Sequence, residues 1–249
     1  MKIIISPAKK MNVDTDTLAP EGVPVFLEES EELLAWMRQL SWLEAKELWK
    51  CNDRIADQNY QRLQEMDLRR NLTPAVVSYE GIQYQYMAPA VFDESQMKYI
   101  REHLRILSGF YGVLRPFDGV VPYRLEMQAK ASKEGDLYKF WADKLYQELK
   151  KDEEAFLLNL ASKEYSRCIE KYLQPGDVFL TCVFAEVENG KVKQKGTYAK
   201  MARGEMVRYL TENQVENLDE IKSFDRLGYR FDEGLSTESK YVFLKQNLI

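Results

Sequence analysis

Long apolar runs are missing from this sequence of 249 residues. A helix that crosses a membrane needs about 20 predominantly apolar residues, and no stretch of the chain approaches that length. The apolar run near the N-terminus, Ile3 to Ile5, is also too short for a signal peptide. We therefore expect no membrane partner and a cytoplasmic location.

Cysteine and histidine are scarce. Cys51, Cys168 and Cys182 are far apart and none forms a CxxC pair, so they indicate neither a disulfide framework nor a zinc site. The one histidine, His103, cannot build a histidine-rich metal site, and its place in a helical pattern favours a structural role. One histidine without a clustered carboxylate motif also disfavours a di-iron site. We predict no metal site and no cofactor.

Acidic residues outnumber basic ones, and the net charge of −5 gives no hint of nucleic-acid binding for the chain as a whole. One segment differs, because residues 191–208 hold six basic side chains and a single acidic one, Glu205. A basic face of this kind can bind a polyanion despite a negative total. Charge alone nevertheless favours the plainer interpretation, a solvated hairpin followed by a solvated helix.

The periodicity of apolar residues predicts a mixed α/β fold of the α+β class. Helices are expected at residues 29–40, 94–108 and 199–213. A further helix is expected to start at the capping box of Ser41 and Glu44 and to run toward Ala56. Strands are expected at 3–6, 75–79, 156–160, 229–232 and 241–245, and a hairpin at 178–187 and 191–198, which flank the strong turn signal Asn189-Gly190. No repeat or linker interrupts the chain, so we expect a single compact domain over residues 1–249.

Residues 107–127, LSGFYGVLRPFDGVVPYRLEM, place rigid turns and charges in an otherwise apolar stretch. The spacing predicts a helix that ends near Ser108, with Gly109 as its left-handed C-cap. The SGFYG segment resembles the hairpin of a helix-hairpin-helix motif, whose glycines let backbone N–H groups approach a phosphate. It has two residues between its glycines instead of the usual one, and spacing alone favours a structural turn.

Three arginines bracket this turn: Arg105, Arg115 and Arg124. Their planar guanidinium groups suit bidentate contacts with phosphate or carboxylate. Glu126 follows Arg124 by two residues and lies on the same side of the chain if the segment is extended. It is then placed to orient the arginine or to act as a general acid or base. A buried Arg–Glu pair that fixes the turn is an equally weighted alternative.

Other segments are similarly rich in tyrosine and charge. Ser6 and Lys9, in ISPAKKM, follow the first strand, where α/β folds often place ligand groups. The others are YEGIQYQYM with Tyr84, LYKFWAD, NLASKEY with Glu164, and YAKMARGEMVRY. If folding gathers these segments, they form a cleft of tyrosine, arginine and lysine that suits phosphates and stacked bases. Tyrosines are more often core residues than stacking platforms, so this prediction depends on whether the segments meet.

The motifs ISPAKKM, LRILSGFYGVLRPFDGVVPYRLEM, LYKFW, NLASKEY, YAKMARGEMVRY and GYRFDE, in this order, resemble those of the YaaA family of bacterial peroxide stress proteins. The resemblance covers nearly the whole chain. It implies a single α/β domain of unusual topology, with a positively charged cleft and a helix-hairpin-helix-like element. It also implies binding to duplex or branched DNA, and a lowering of unincorporated iron that limits Fenton damage during hydrogen peroxide stress.

The resemblance places candidate site residues in four motifs. In the first two motifs these are Lys9 and then Gly109, Tyr111, Gly112, Arg115, Tyr123, Arg124 and Glu126. In the last two they are Asn159, Ser162 and Tyr165, and then Tyr198, Lys200, Arg203 and Arg208.

Two functions from different classes follow from these residues. In the first, the chain is a monomeric DNA-binding stress protein, with Arg115, Lys200, Arg203 and Arg208 on phosphates and the SGFYG backbone donating N–H groups. In the second, it is an enzyme that acts on a nucleotide, nucleoside or damaged base. Glu126 would then be the catalytic acid or base, Lys9 or Arg124 an electrostatic stabiliser, and a pair of tyrosines the base clamp.

Overall fold

The computed structural model describes residues 1–130, 135–151 and 156–246. The α-helices in these ranges are α1 Leu27–Met37, α2 Trp42–Trp49, α3 Asp53–Glu65, α4 Ala75–Ser78, α5 Ile82–Met87, α6 Glu94–His103, α7 Leu137–Trp141, α8 Lys144–Leu149, α9 Lys163–Glu170, α10 Gly196–Glu212 and α11 Leu218–Ile221. The strands are β1 Lys2–Ile5, β2 Lys10–Met11, β3 Thr73–Pro74, β4 Tyr79–Glu80, β5 Leu104–Ser108, β6 Gly112–Leu114, β7 Gly119–Val120, β8 Leu157–Leu160, β9 Phe179–Glu188, β10 Lys191–Lys193, β11 Tyr229–Thr237 and β12 Lys240–Lys245.

One mixed sheet organises the described part of the chain. Its strand order is β11-β12-β9-β8-β1-β5-β6, with β10 paired to β9. The five central strands are parallel to one another, whereas β6, β10 and β11 are antiparallel to their neighbours. Ile3, Ile4 and Ile5 of the central strand β1 are fully buried, as expected for a strand covered on both faces. The predicted mixed α/β single domain is confirmed.

The order of the strands creates a crevice between β1 and β8. From β1, the chain returns to the sheet as β5 on one side, whereas from β8 it returns through α9 as β9 on the other side. Chain connections therefore leave the carboxyl ends of β1 and β8 in opposite directions. In open α/β sheets, such a topological switch point is where ligands bind.

Several sequence predictions are confirmed with small changes of boundary. The first strand, the strand at 156–160, the two terminal strands and the hairpin around Asn189-Gly190 are all present, as is the basic helix, here α10. The capping box of Ser41 and Glu44 opens α2. That helix stops at Trp49 instead of continuing to Ala56, because Lys50 adopts a left-handed conformation and a second helix starts after it.

Two secondary-structure predictions are wrong. The predicted helix at residues 94–108 ends at His103, and the rest of it is strand β5, with Leu104 opposite Ile3 of β1. Helical spacing of its apolar residues cannot reveal a strand partner about 100 positions away, and tertiary pairing overrides the local preference. The predicted strand at residues 75–79 is the short buried helix α4, which shows that a short apolar run fits either element.

The SGFYG segment connects two strands, so the expected helix-hairpin-helix-like element does not lie there. β5 and β6 pair with Ser108 opposite Gly112. The left-handed residue is Gly112, with φ of 73°, and not Gly109. The loop between them has three residues, 109–111, and the left-handed glycine follows it as the first residue of β6. Two helices joined by a short turn do occur elsewhere, at α2 and α3. In the ranges given above, no helix combines the length and the apolar character that a membrane span requires.

Candidate functional site

A pocket of about 420 Å³ opens at the carboxyl ends of β1 and β8, and we call it the switch-point pocket. It gathers five segments that are distant in sequence: residues 6–10, 80–84, 123–126, 162–165 and 200–203. Eight of the predicted site residues line it: Lys9, Tyr123, Arg124, Glu126, Ser162, Tyr165, Lys200 and Arg203. Its wall also includes Ser6, Tyr84 and Glu164, which lie in segments expected to form a cleft, and Glu80 and Gln83, which sequence reasoning did not select.

Ser6 and Ser162, which both line this pocket, are hydrogen-bonded to each other. The backbone N–H of Ser162 donates to the Ser6 hydroxyl oxygen at 2.8 Å, and the two hydroxyl oxygens lie 3.2 Å apart. Ser162 is the N-cap of α9, and its carbonyl accepts hydrogen bonds from Tyr165 and Ser166. The contact therefore fixes the first turn of α9, which carries Glu164 and Tyr165, at the edge of the pocket.

Glu126 has cations on two sides. Its Oε1 lies 3.2 Å from Lys9 Nζ and 3.4 Å from Arg124 Nη2, yet this oxygen has no hydrogen-bond partner among the described residues. Arg124 and Glu126 lie on the same side of the chain, as predicted, and the side chains are 12% and 16% exposed. The ion pair and the pocket lining, which the sequence left as alternatives, occur together.

Glu164 provides a second carboxyl group in the pocket. Burial raises its pKa from the ordinary range, and the charge of Glu126 adds to that effect, whereas Lys9 opposes it. Its Oε1 is 3.4 Å from the backbone nitrogen of Gln128. The pocket therefore holds two carboxyl groups in different surroundings, one flanked by cations and one partly desolvated.

Arg203 is the most unusual cation of the site. Its Nε is buried and has no hydrogen-bond partner, and the guanidinium forms no ion pair within the described ranges. Burial lowers the pKa of this side chain, but a guanidinium stays charged in proteins. A buried charge without a partner costs free energy, so the position favours an anion brought by a ligand.

Close contact between α10 and α5 holds Arg203 over the pocket. A Cβ atom at Gly204 would lie 2.2 Å from the carbonyl oxygen of Gln83 and 3.0 Å from the backbone nitrogen of Met87. The two helix backbones therefore touch, which only glycine permits. This approach brings Lys200 and Arg203 of α10 to the same pocket as Gln83 of α5.

Three buried tyrosines, Tyr84, Tyr123 and Tyr165, form the aromatic part of the wall. The Tyr84 hydroxyl donates to the carbonyl oxygen of Ser6 at 3.0 Å. The Tyr123 hydroxyl lies 2.7 Å from Ser108 Oγ and 2.9 Å from the hydroxyl of Tyr79. Burial raises the pKa of Tyr123 to about 12, so this ring is a neutral surface at physiological pH.

The glycine turn does not line the switch-point pocket, so the predicted phosphate contacts of Gly109, Tyr111 and Gly112 stay a prediction without a place in this site. These residues are buried. The hydroxyl oxygen of Ser108 already accepts the N–H groups of Phe110 and Tyr111, at 3.1 and 2.8 Å. A Cβ at Gly109 would lie 2.5 Å from the carbonyl oxygen of Leu125. The turn thus supports, from behind, the segment that carries Arg124 and Glu126.

Four other predicted residues lie outside the switch-point pocket. Arg115 lines a separate cavity with Arg101 and Asp118. Asn159 is buried and donates to Thr181 Oγ1 at 3.2 Å. The ring of Tyr198 contacts Lys245, whose Nζ is 4.1 Å from its centroid. Arg208 is paired with Glu212 at 2.8 Å.

Sequence reasoning missed Gln83 entirely. It lies next to Tyr84 in YEGIQYQYM, and a glutamine among tyrosines carries no motif that could have selected it. Its significance depends on burial and on the contact between α5 and α10, both of which are set by the folded chain.

Comparisons with known proteins agree with the motif resemblance. The family model described as peroxide stress protein YaaA matches residues 1–235. A UPF0246 protein from Agathobacter rectalis is 59% identical over 246 residues, which cover 98% of each chain. A UPF0246 protein from Pediococcus pentosaceus is 56% identical over 250 residues, covering 100% of this chain and 99% of the relative.

Proposed function

The chain belongs to the peroxide stress protein YaaA family, and from this we propose that it is a peroxide stress protein that binds DNA through the switch-point pocket. The observation that carries the proposal is Arg203, whose Nε is buried without a hydrogen-bond partner and whose guanidinium has no anionic partner among the described residues, in a pocket lined by tyrosines. Arginine with aromatic rings is the combination that nucleic-acid phosphates and bases require.

The charge of the pocket supports this proposal. Five basic and three acidic side chains line it, although the chain as a whole is acidic. Lys10 and Glu80 neutralise each other at 2.6 Å, and Glu126 shares the charges of Lys9 and Arg124. Lys200 and Arg203 remain as the cations available to a phosphate. A local positive field of this kind attracts a polyanion despite a negative total.

The proposal includes the lowering of unincorporated iron that the family resemblance implies. The sequence with its single histidine disfavours direct iron storage. We therefore assign the effect on iron to an indirect route, through protection of DNA or through an activity not yet identified.

The test is fluorescence anisotropy of labelled duplex, branched and single-stranded DNA, from low to physiological salt. Binding through phosphates gives a linear fall of log affinity with log salt concentration, because counterions are released. Arg203→Ala should weaken binding by about 10-fold or more, the typical effect of losing hydrogen bonds to a charged group.

Arg208→Ala is the matched control, since Arg208 lies on the same helix but is paired with Glu212 outside the pocket. It should change affinity by less than about 2-fold, as surface ion pairs contribute little. Absence of DNA binding at low salt, or equal losses in both variants with the folds intact by circular dichroism, would contradict the proposal.

A second candidate function is an enzyme acting on a nucleotide, nucleoside or damaged base. It is favoured by the two carboxyl groups, because acid and base roles need carboxyls in different surroundings. Glu126 is flanked by Lys9 and Arg124, whereas burial raises the pKa of Glu164. In this case nucleotide turnover should be detectable, and Glu126→Gln should abolish it without changing the fold.

A further inference from the structure

Gln83 presents a hydrogen-bond donor that nothing in the described protein uses. The side chain lies in the first turn of α5, the residue is only 6% exposed, and it lines the switch-point pocket. Its Nε2 is buried without a hydrogen-bond partner among the described residues. Buried amides are nearly always hydrogen-bonded, so an acceptor atom supplied by a ligand would complete this one.

Both cationic and neutral side chains line the pocket. Lys200 and Arg203 supply positive charge from α10. Gln83 is neutral, as are the phenol rings of the lining, including that of its neighbour Tyr84. A ligand that satisfies both kinds of side chain carries an anionic group and a flat, polar ring with hydrogen-bond acceptors on its edge. A nucleotide is such a ligand, since its phosphate suits the arginine and its base suits the amide and the rings.

The size of the pocket limits what it can hold. Its volume of about 420 Å³ lies in the range of small-molecule sites. It can enclose one nucleotide, but stacked base pairs of a duplex do not fit. Proteins that place a single base in such a pocket take it from a single strand or rotate it out of the helix.

We propose that the switch-point pocket takes a single nucleotide unit, and that Gln83 reads its base. The phosphate lies at Arg203 and Lys200, the base lies against the tyrosines, and Gln83 Nε2 donates to a carbonyl oxygen or ring nitrogen on the base edge. This inference rests on the proposed function and names the part of the nucleic acid that the pocket recognises. The unit is either a free nucleotide or a nucleotide extruded from a strand.

The experiment compares ligands with and without a base. Deoxynucleoside 5′-monophosphates and deoxyribose 5-phosphate are titrated by isothermal calorimetry, and single-stranded oligonucleotides with and without one abasic position are titrated by anisotropy. We expect at least one monophosphate, or the intact oligonucleotide, to bind about 10-fold more tightly than its counterpart without the base. Preference in the first pair identifies free nucleotides as ligands, and preference confined to the second identifies a nucleotide within a strand.

Gln83→Met keeps the length of the side chain but removes the donor, and Gln83→Leu is a second variant in case the first misfolds. Either should reduce the preference for the base to less than about 2-fold and leave the affinity for deoxyribose 5-phosphate unchanged. Arg203→Ala should instead weaken both ligands together, because it acts on the phosphate.

The outcomes separate this inference from the proposed function. If DNA binds in a salt-dependent and Arg203-dependent way, but an abasic position or loss of the Gln83 amide changes nothing, the base-reading role is wrong and DNA binding stands. If neither DNA nor any nucleotide binds, both proposals fail.

Discussion

Ser6 and Ser162 are 156 positions apart in the chain, and the Ser6 hydroxyl oxygen accepts the backbone N–H of Ser162 at 2.8 Å. This hydrogen bond crosses the point where the connections of the sheet diverge. It ties the residue after β1 to the N-cap of α9. The first turn of α9, with Glu164 and Tyr165, is thereby held at the pocket.

Ser6→Ala should lower the free energy of unfolding by about 1 kcal/mol, because a partly buried N–H loses its acceptor. It should also weaken DNA binding, since the first turn of α9 is no longer fixed beside the pocket. Urea unfolding and anisotropy measure the two effects. Ser95→Ala is the control, because its hydroxyl is exposed and bonds to Asp93 within the same helix start, and it should stay within about 0.5 kcal/mol of the wild type. Equal stability of both variants would contradict the role of Ser6.

Alanine substitutions at Gly112 and Gly190 distinguish two contributions to the loss of stability, the left-handed backbone conformation and the crowding of the added Cβ atom. Both have φ of 73°, but a Cβ at Gly112 would lie 2.8–3.0 Å from Phe26, Leu145 and Trp141, whereas a Cβ at Gly190 meets nothing within 4 Å. Gly190→Ala should cost about 1 kcal/mol for the left-handed conformation. Gly112→Ala should cost about 1–3 kcal/mol more, because the core must adjust. Equal losses in urea unfolding would show that the turn is loosely packed.

Asp118 should make stability depend on pH. Burial raises its pKa to about 6, against the effects of a hydrogen bond from the Arg115 backbone and of that arginine's charge. Because the folded-state pKa lies above the 3.8 of an aspartate in water, the protonated acid is favoured by folding. This contribution is fully present below about pH 4 and is lost as the pH rises through about 6.

Asp118→Asn tests whether stability falls as the pH rises. In the wild type the Arg115 N–H donates to Asp118 Oδ2 at 2.8 Å, and the amide oxygen of the variant can still accept it. Relative to the variant, the wild type should lose about 3 kcal/mol of unfolding free energy between pH 4 and pH 7, at about 1.4 kcal/mol for each pKa unit. Urea unfolding at intervals of one pH unit provides the curve. A constant difference between the two proteins would show that Asp118 titrates normally.

Glu126→Gln should strengthen DNA binding by about 3-fold if the pocket binds phosphate. The variant removes a negative charge that lies within 3.4 Å of both Lys9 and Arg124, and a partly exposed ion pair has a modest free energy. Glu212→Gln is the control, because Glu212 pairs with Arg208 and Arg226 and none of the three lines the pocket. Weaker binding by Glu126→Gln in anisotropy would indicate that the carboxylate contacts the ligand directly.

Much of the fold could be predicted wherever local pattern and long-range structure agree. The buried run Ile3 to Ile5, the Asn189-Gly190 turn and the basic helix α10 each contain their own signal. Prediction failed where pairing with a segment remote in sequence determines the secondary structure. Strand β5 has the spacing of a helix, but its backbone hydrogen bonds are made with β1 and β6.

The site was predictable in its residue types and much less in its assembly. Lys9, Arg124, Glu126 and Arg203 were selected by charge and motif, and they meet in one pocket. Arg208, with the same charge and on the same helix, does not reach it, since the faces of α10 are assigned by its contact with α5. Gln83 was missed because an unsatisfied donor exists only once its surroundings are known.

Gly204 has a consequence for the dimensions of the site. Where two helices meet through side chains, their separation varies with rotamers and with each substitution. Here the backbone of α10 rests on the backbone of α5, so the spacing between the helix of Arg203 and the helix of Gln83 is set by van der Waals contact between the two main chains. The separation between Arg203, proposed to bind the phosphate, and Gln83, proposed to read the base, therefore depends on main-chain packing, and a ligand must match it.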